Sequence, residues 1–469
     1  MMGLAVLAAT LATLTGWLLV SPWQRQPMTW PGRLLTAAIA AFLGTACHSL
    51  WRLVWLAISG GSASVAGYLA FDLSLPALLL TLRWWWTRST PEARVDTSVD
   101  ESPGVWHAAG LLVVLVGTGA TGLVAAQQPH GAWDAWAVWN FKARWLALAG
   151  VDWQGLLTEP AFLSSHPDYP LFVPLSIARL WAVTGGVSTA VPQVFGTLSA
   201  ACILLVMCAG TWQLRGPLAA TVATSAILAL RPLLVTASSQ YADVPLACAY
   251  LVTFVSLAHA VERERSARWF AIAGLAAGTA MWTKNEGGVF VACVLVSVAM
   301  LAVLRHRELG TALRRVALIA AGVAPFMAAA LFIKASTPVN LIVSTQSSAL
   351  VFERLLDLNR HREILLYAVR VTATLVDPAV VVLALIALVR FGRAASLDAA
   401  AVAGVALTLT VLGYYTVFLL TPYPLDWHLR TAADRLLVQV WPSVVFAAVL
   451  ASGRTGRSGT PAASTAQAA

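Results

Sequence analysis

Residues 105–144 read VWHAAGLLVVLVGTGATGLVAAQQPHGAWDAWAVWNFKAR. From Val105 to Ala126 there is no Asp, Glu, Lys or Arg. About 20 apolar residues suffice for a helix to cross the hydrocarbon of a bilayer. Directly after this run comes Asp134, set among Trp133, Trp136 and Trp139, with Lys142 and Arg144 following. Trp anchors at membrane interfaces, and a carboxylate near a bilayer is costly unless it is solvated, paired or used. The pattern indicates a membrane helix with chemistry at its surface, on a lipid-borne and phosphorylated substrate.

The rest of the 469 residues extends this reading. The chain is 59% hydrophobic and 11% charged, with mean hydropathy +0.76, whereas soluble domains carry about 25% charged residues. Apolar runs fall at 2–20, 33–57, 64–86, 105–126, 170–184, 190–212, 217–235, 241–260, 268–283, 287–304, 313–333, 364–390, 398–420 and 436–452. The expected fold is an all-α polytopic membrane helix bundle of about 13–14 spans, with an amphipathic helix in its first large loop. No run alternates in the manner of a membrane β-barrel. Residues 1–104 read as an N-terminal transmembrane extension ending in a polar linker at 89–103. Residues 105–452 read as the core, and 453–469 as a disordered tail.

The net charge of +9 comes from Arg in short loops, which set orientation and do not imply nucleic acid. The basic loops at 83–94, 263–268, 305–315 and 390–393, with the tail, are expected on the cytoplasmic side. Loops 127–169, 335–363 and 421–435, and the turn at Lys284-Asn285-Glu286, then face outward. Between loop 127–169 and Asp243 there are three apolar runs where an even number of crossings is needed. One of them, expected within 186–235, must be re-entrant, short or misjudged, and Arg231-Pro232 would interrupt a helix there. The five cysteines form no CxxC pair, so neither a disulfide framework nor a thiolate metal site is indicated. The first run lacks a basic n-region and a clear cleavage site, and reads as a retained span.

Five segments could carry chemistry, each against a plainer reading. Residues 135–149 form an interfacial helix anchored by Trp133, Trp136, Trp139 and Trp145; it either does no more or presents Asp134, with Lys142 and Arg144 able to meet a phosphate. His166-Pro167-Asp168-Tyr169-Pro170 is a rigid turn, or it aims His166 or Asp168 at a site. Asp243 in Tyr241-Ala242-Asp243 is a helix N-terminal residue favoured by the dipole, or a second active-site carboxylate. Lys284 and Glu286 are a structural ion pair, or a phosphate-binding Lys oriented by Glu286. His428 and Arg435 lie in a polar segment with Asp434 ahead of the last span, where an Arg fork suits phosphate oxygens. No nucleotide-cradling P-loop occurs, no metal-ligand spacing is present, and no divalent metal or other cofactor is indicated.

In order, Trp133-Asp134-Ala135-Trp136 through Arg144, His166 to Pro170, Tyr241 to Asp243, Lys284 to Gly287, and Trp427-His428-Leu429 through Asp434-Arg435 resemble a GT-C glycosyltransferase. The nearest branch comprises bacterial relatives of dolichyl-phosphate-mannose protein mannosyltransferases and of the lipid A aminoarabinose transferase. The resemblance implies inverting transfer of a sugar from a polyprenyl-phosphate donor to a glycan, lipid or protein acceptor outside the bacterial inner membrane. It also implies an acidic base in the first large outer loop, which falls on Asp134. Departures are an N-terminal extension of three spans ahead of run 105–126, where many relatives have one span before that loop, no second acid adjacent to Asp134, and no sizeable soluble C-terminal domain. The rival reading is a transporter or flippase of lipid-linked glycans. Such folds carry internal repeats, and no convincing repeat is present.

Overall fold

The computed structural model describes residues 2–21, 28–60, 64–89, 104–148, 150–230, 232–262, 267–306, 309–337, 346–378, 382 and 397–453. The linker at 90–103, most of the basic loops at 263–268 and 390–393, Arg231, and the tail from 454 lie outside the described residues. Among the described residues the secondary structure is helical, with one isolated bridge between Leu230 and Val376. Ten helices are long and apolar enough to cross a membrane, by length and composition. They are α1 (Met2–Val20), α2 (Trp30–Ser59), α3 (Val65–Ser89), α4 (Val105–Gln127), α8 (Ala190–Arg215), α11 (Asp243–Glu262), α13 (Asn285–His306), α14 (Leu309–Ser336), α17 (Asp398–Leu420) and α18 (Leu425–Leu450). The protein is a polytopic membrane helix bundle.

The remaining apolar runs become other things. Helix α7 (Phe172–Thr184) has 13 residues and α9 (Pro217–Leu228) has 12, with α10 (Pro232–Ser238) continuing after a break. Helix α12 (Ala267–Thr283) has 17 residues and packs along α14. The crossing is close: a Cβ on Gly274 would sit 2.2 Å from the Ile319 carbonyl oxygen, and one on Gly322 2.7 Å from that of Ala271. Small residues let membrane helices approach this closely. The run expected at 364–390 starts as helix α16 (Leu358–Leu375), in which only Ile364 is buried. Apart from 382, residues 379–390 lie outside the described residues.

The crossing count resolves through the helix ends. At one end, Arg215 of α8 pairs with Glu262 of α11 (2.6 Å) and donates to the Leu450 carbonyl of α18. At the other, Gln240, just after α10, donates to the carbonyls of Gln128 and Pro129 (both 3.3 Å). Helices α9 and α10 together therefore traverse the bundle once. Helix α7, ~20 Å long at 1.5 Å per residue, is the run that does not cross a ~30 Å core. The short run thus lies at 172–184, outside the expected 186–235 window, because the Pro232 break leaves α9 and α10 as one path.

The N-terminal helices are fastened to the core by buried charge. Asp72 of α3 accepts from His48 Nδ1 of α2 (2.8 Å) and from Arg179 Nη2 of α7 (2.6 Å). All three side chains are buried. Thr15 of α1 bonds His48 Nε2 (2.8 Å), and Arg179 also donates to the Ala8 carbonyl (3.0 Å). This holds α7, and with it the turn that precedes it, at a fixed place.

Candidate active site

Five charged side chains alternate in sign across one end of the bundle. Glu286 Oε1 lies 2.9 Å from Lys284 Nζ, which donates to Asp243 Oδ1 (2.9 Å). Asp243 Oδ2 accepts from Arg435 Nε (3.0 Å) and Nη2 (2.9 Å), and the same Nη2 lies 2.7 Å from Asp134 Oδ2. Each cation is shared by two carboxylates. Asp243, in the middle, is fully buried, while Glu286 and Asp134 at the two ends are 22% and 23% exposed. The chain therefore has a sealed centre and two accessible termini.

Sequence and local structure place each member. Asp134 directly precedes a π-helical turn, Ala135–Trp139, which runs into α5 (Asn140–Leu148). Such turns occur frequently at functional sites. Asp243 opens α11, with Pro245 in its first turn, where a carboxylate meets the positive end of the helix. Lys284 fills the one-residue gap between α12 and α13, and Glu286 is in the first turn of α13. Gly287 is required there, since a Cβ would stand 1.9 Å from the Ala280 carbonyl oxygen. Burial opposes charge on Lys284, but the Asp243 and Glu286 carboxylates outweigh it and raise its pKa.

A second layer comes from the turn before α7. Asp168 Oδ2 accepts from Asn285 Nδ2 (3.0 Å), and Asn285 Oδ1 accepts from Lys334 Nζ (2.7 Å). Tyr169 stacks between Trp139 and His166, at centroid distances of 5.8 and 4.9 Å. Burial, then the nearby Glu286 carboxylate, raises the Tyr169 pKa. Lys142 is buried and donates to the His166 carbonyl. Burial pulls its pKa down to about 7, against the nearby Asp168 carboxylate. Burial and the Lys142 charge lower the His166 pKa. Among the described residues two non-glycine residues have left-handed backbone, His166 (φ 53°) and Gln240 (φ 61°). Both border this site, and such strain clusters at functional sites.

The expectations divide accordingly. Asp134, Asp243, Lys284, Glu286 and Arg435 converge; Asp168 and Tyr169 adjoin them. Lys142 and His166 brace the turn, with the Lys142 side chain buried and its amine on the His166 carbonyl. Arg144 is exposed, and no described bond joins it or His428 to the cluster. Of the four Trp taken as anchors, Trp133 and Trp136 are exposed, Trp139 is buried and Trp145 is partly buried. Sequence reasoning missed the support of Asp243. Gln439 Nε2 donates to Asp243 Oδ1 (2.6 Å), Tyr414 OH donates to Gln439 Oε1 (2.6 Å), and Tyr250 OH lies 3.0 Å from Tyr414 OH. A lone Gln in an apolar run was the available signal, since polar groups inside membranes need partners. The Tyr241 ring, 4.6 Å from the Arg435 guanidinium carbon, was also missed as a cation–π partner. Among the described residues no group of three or more His, Cys, Asp or Glu could hold a metal ion.

Residues 168–332 match the family model described as dolichyl-phosphate-mannose-protein mannosyltransferase. The match covers about a third of the chain and supports a GT-C-type membrane glycosyltransferase. The matched stretch supplies Asp168, Asp243, Lys284 and Glu286. Asp134 and Arg435 lie on either side of it in sequence, yet complete the row of alternating charges in space. No curated protein and no solved structure shows a significant match.

Proposed function

We propose that the protein transfers a sugar from a polyprenyl-phosphate donor to a hydroxyl acceptor on the extracytoplasmic side of the inner membrane, with inversion. The observation that carries this is Asp134, accessible at one end of the charge chain and held by a cation that a phosphate can also claim. The Lys/Arg bias of the loops supports the side.

In this reading the donor's phosphate meets Arg435 and Lys284. Their buried partner Asp243 keeps both charged and in place, as preorganised stabilisation of a leaving anion requires. A phosphate that takes Arg435 removes the counter-ion of Asp134 and makes that carboxylate the better base. The acceptor oxygen then attacks the anomeric carbon from the face opposite the phosphate. Its proton passes to Asp134, and the C–O bond to phosphate breaks with its electron pair on the departing lipid phosphate. Asp243 is the orienting acid, because its four hydrogen bonds and full burial leave it no path to an acceptor.

The test is mass spectrometry of envelope lipids, glycans and proteins from cells with and without the gene, complemented by wild type or Asp134→Asn. A sugar modification present with wild type and absent with Asp134→Asn at equal protein level supports the proposal. Full modification by Asp134→Asn refutes it. Movement of lipid-linked sugar across proteoliposomes without any transfer supports the flippase instead.

A further inference from the structure

Helix α15 (Ser348–Leu356) and α16 attach to the site end of the bundle in an inverted way. Several polar side chains here, Gln346, Arg354, Arg360 and His361, face the protein. Arg354 Nη1 and Gln346 Nε2 donate to the Leu420 carbonyl (both 2.7 Å). Arg360 donates through Nε to the Leu419 carbonyl (3.1 Å) and through Nη2 to that of Phe418 (3.2 Å). These are the last carbonyls of α17, which lack partners inside their own helix and favour cations. His361 Nδ1 bonds Tyr415 OH on the same helix.

The outward side is apolar. Helix α15 buries no residue, and Phe352 and Leu356 are 66% and 67% exposed. In α16, at 3.6 residues per turn, the sequence separates into three sectors. Arg360, Ile364, Tyr367 and Val371 form the packed stripe. Asn359, Glu363 and Arg370 form an exposed polar edge. Leu358, Leu365, Leu366 and Val369 form an exposed apolar face, with Leu358 80% and Val369 68% open. Arg362 stands within that face on a long arm that can bend toward phosphates.

We propose that α15 and α16 lie in the acyl–headgroup boundary of the bilayer at the site end, bound to lipid and not to another protein. A helix with one side on protein, one on hydrocarbon and one on water has the three-sector pattern seen here. Both helices pack against α17, a helix long and apolar enough to cross a membrane, which itself exposes Val411, Leu412 and Val417. Arg362 and Arg370 carry charge complementary to lipid phosphates. The inference is independent of the reaction.

The test places a photoreactive benzophenone amino acid at Leu358, Val369, Glu363 or Leu412 of the full chain. Each protein is reconstituted in phosphatidylethanolamine–phosphatidylglycerol vesicles, irradiated and weighed by mass spectrometry. Leu412 on α17 is the reference for full lipid contact. The expected result is lipid adducts at Leu358 and Val369 within about twofold of Leu412 and at least ~fivefold above Glu363. Labelling of Val369 no greater than that of Glu363 overturns the proposal, as does a covalent dimer in place of lipid adducts.

Discussion

Replacing Asp243 by Asn tests the architecture of the site before any substrate is known. The carboxylate accepts four hydrogen bonds: Lys284 and Gln439 on Oδ1, and two from Arg435 on Oδ2. Asparagine has one acceptor oxygen and one donor amide. In either flip the amide hydrogens point at donors, so two bonds become clashes, and two cations lose their central anion. Removing one partner of a buried ion pair costs about 3–5 kcal/mol, because a charge is left buried without compensation. Glu286 still serves Lys284 and Asp134 still serves Arg435, both from more exposed positions, so the expected loss lies near ~3 kcal/mol. The assay is thermal and denaturant unfolding of purified protein in detergent, with Asp243→Asn compared with wild type and with the double variant Asp243→Asn/Lys284→Met. The double variant should be less destabilised than the sum of the single changes, since it removes one orphaned charge. A stable Asp243→Asn protein with no coupling to Lys284 refutes the idea that this carboxylate holds the site together.

Asp134→Asn should behave oppositely, losing transfer while changing stability by ~1 kcal/mol or less, since it is partly solvated and has one partner; unfolding curves beside activity check this. Lys142 gives a pH signature. Its folded pKa, about 7, lies below its ordinary 10.5, so between those values the unfolded chain binds the extra proton and stability rises with pH. That rise is complete near the upper value and absent below the lower one. Lys142→Met should remove this component, visible as a flatter difference in unfolding temperature between pH 6 and pH 9. Gly287→Ala should disrupt the turn bearing Lys284, because its Cβ meets the Ala280 carbonyl at 1.9 Å; reduced yield of folded protein on size exclusion is the readout.

Membrane helices were legible because one signal, a long uncharged run, decides them. Length failed to separate spans from shorter helices at 172–184 and 217–228, since apolar composition does not record whether a helix crosses or lies against its neighbours. In the site, charges stood out against apolar sequence, so Asp134, Asp243, Lys284, Glu286 and Arg435 were all visible before the fold. Their pairing was not, because Asp243 and Arg435 are 192 residues apart. Gln439 offered only its polarity within an apolar run, and Tyr414 and Tyr250 were hidden for another reason. Each is an ordinary residue whose meaning comes only from the atom it faces.

The fastening of Asp72 has a consequence for how the chain is made. Its arginine partner is 107 residues further along. When the third helix leaves the insertion machinery, the aspartate enters the membrane with His48 and Tyr68 as its hydrogen-bond partners but without its arginine. Its release into lipid must wait until Arg179 has been synthesised. Helices α1 to α3 therefore complete their packing only once α7 has been made, and a nascent chain stopped before residue 179 should remain beside the translocon.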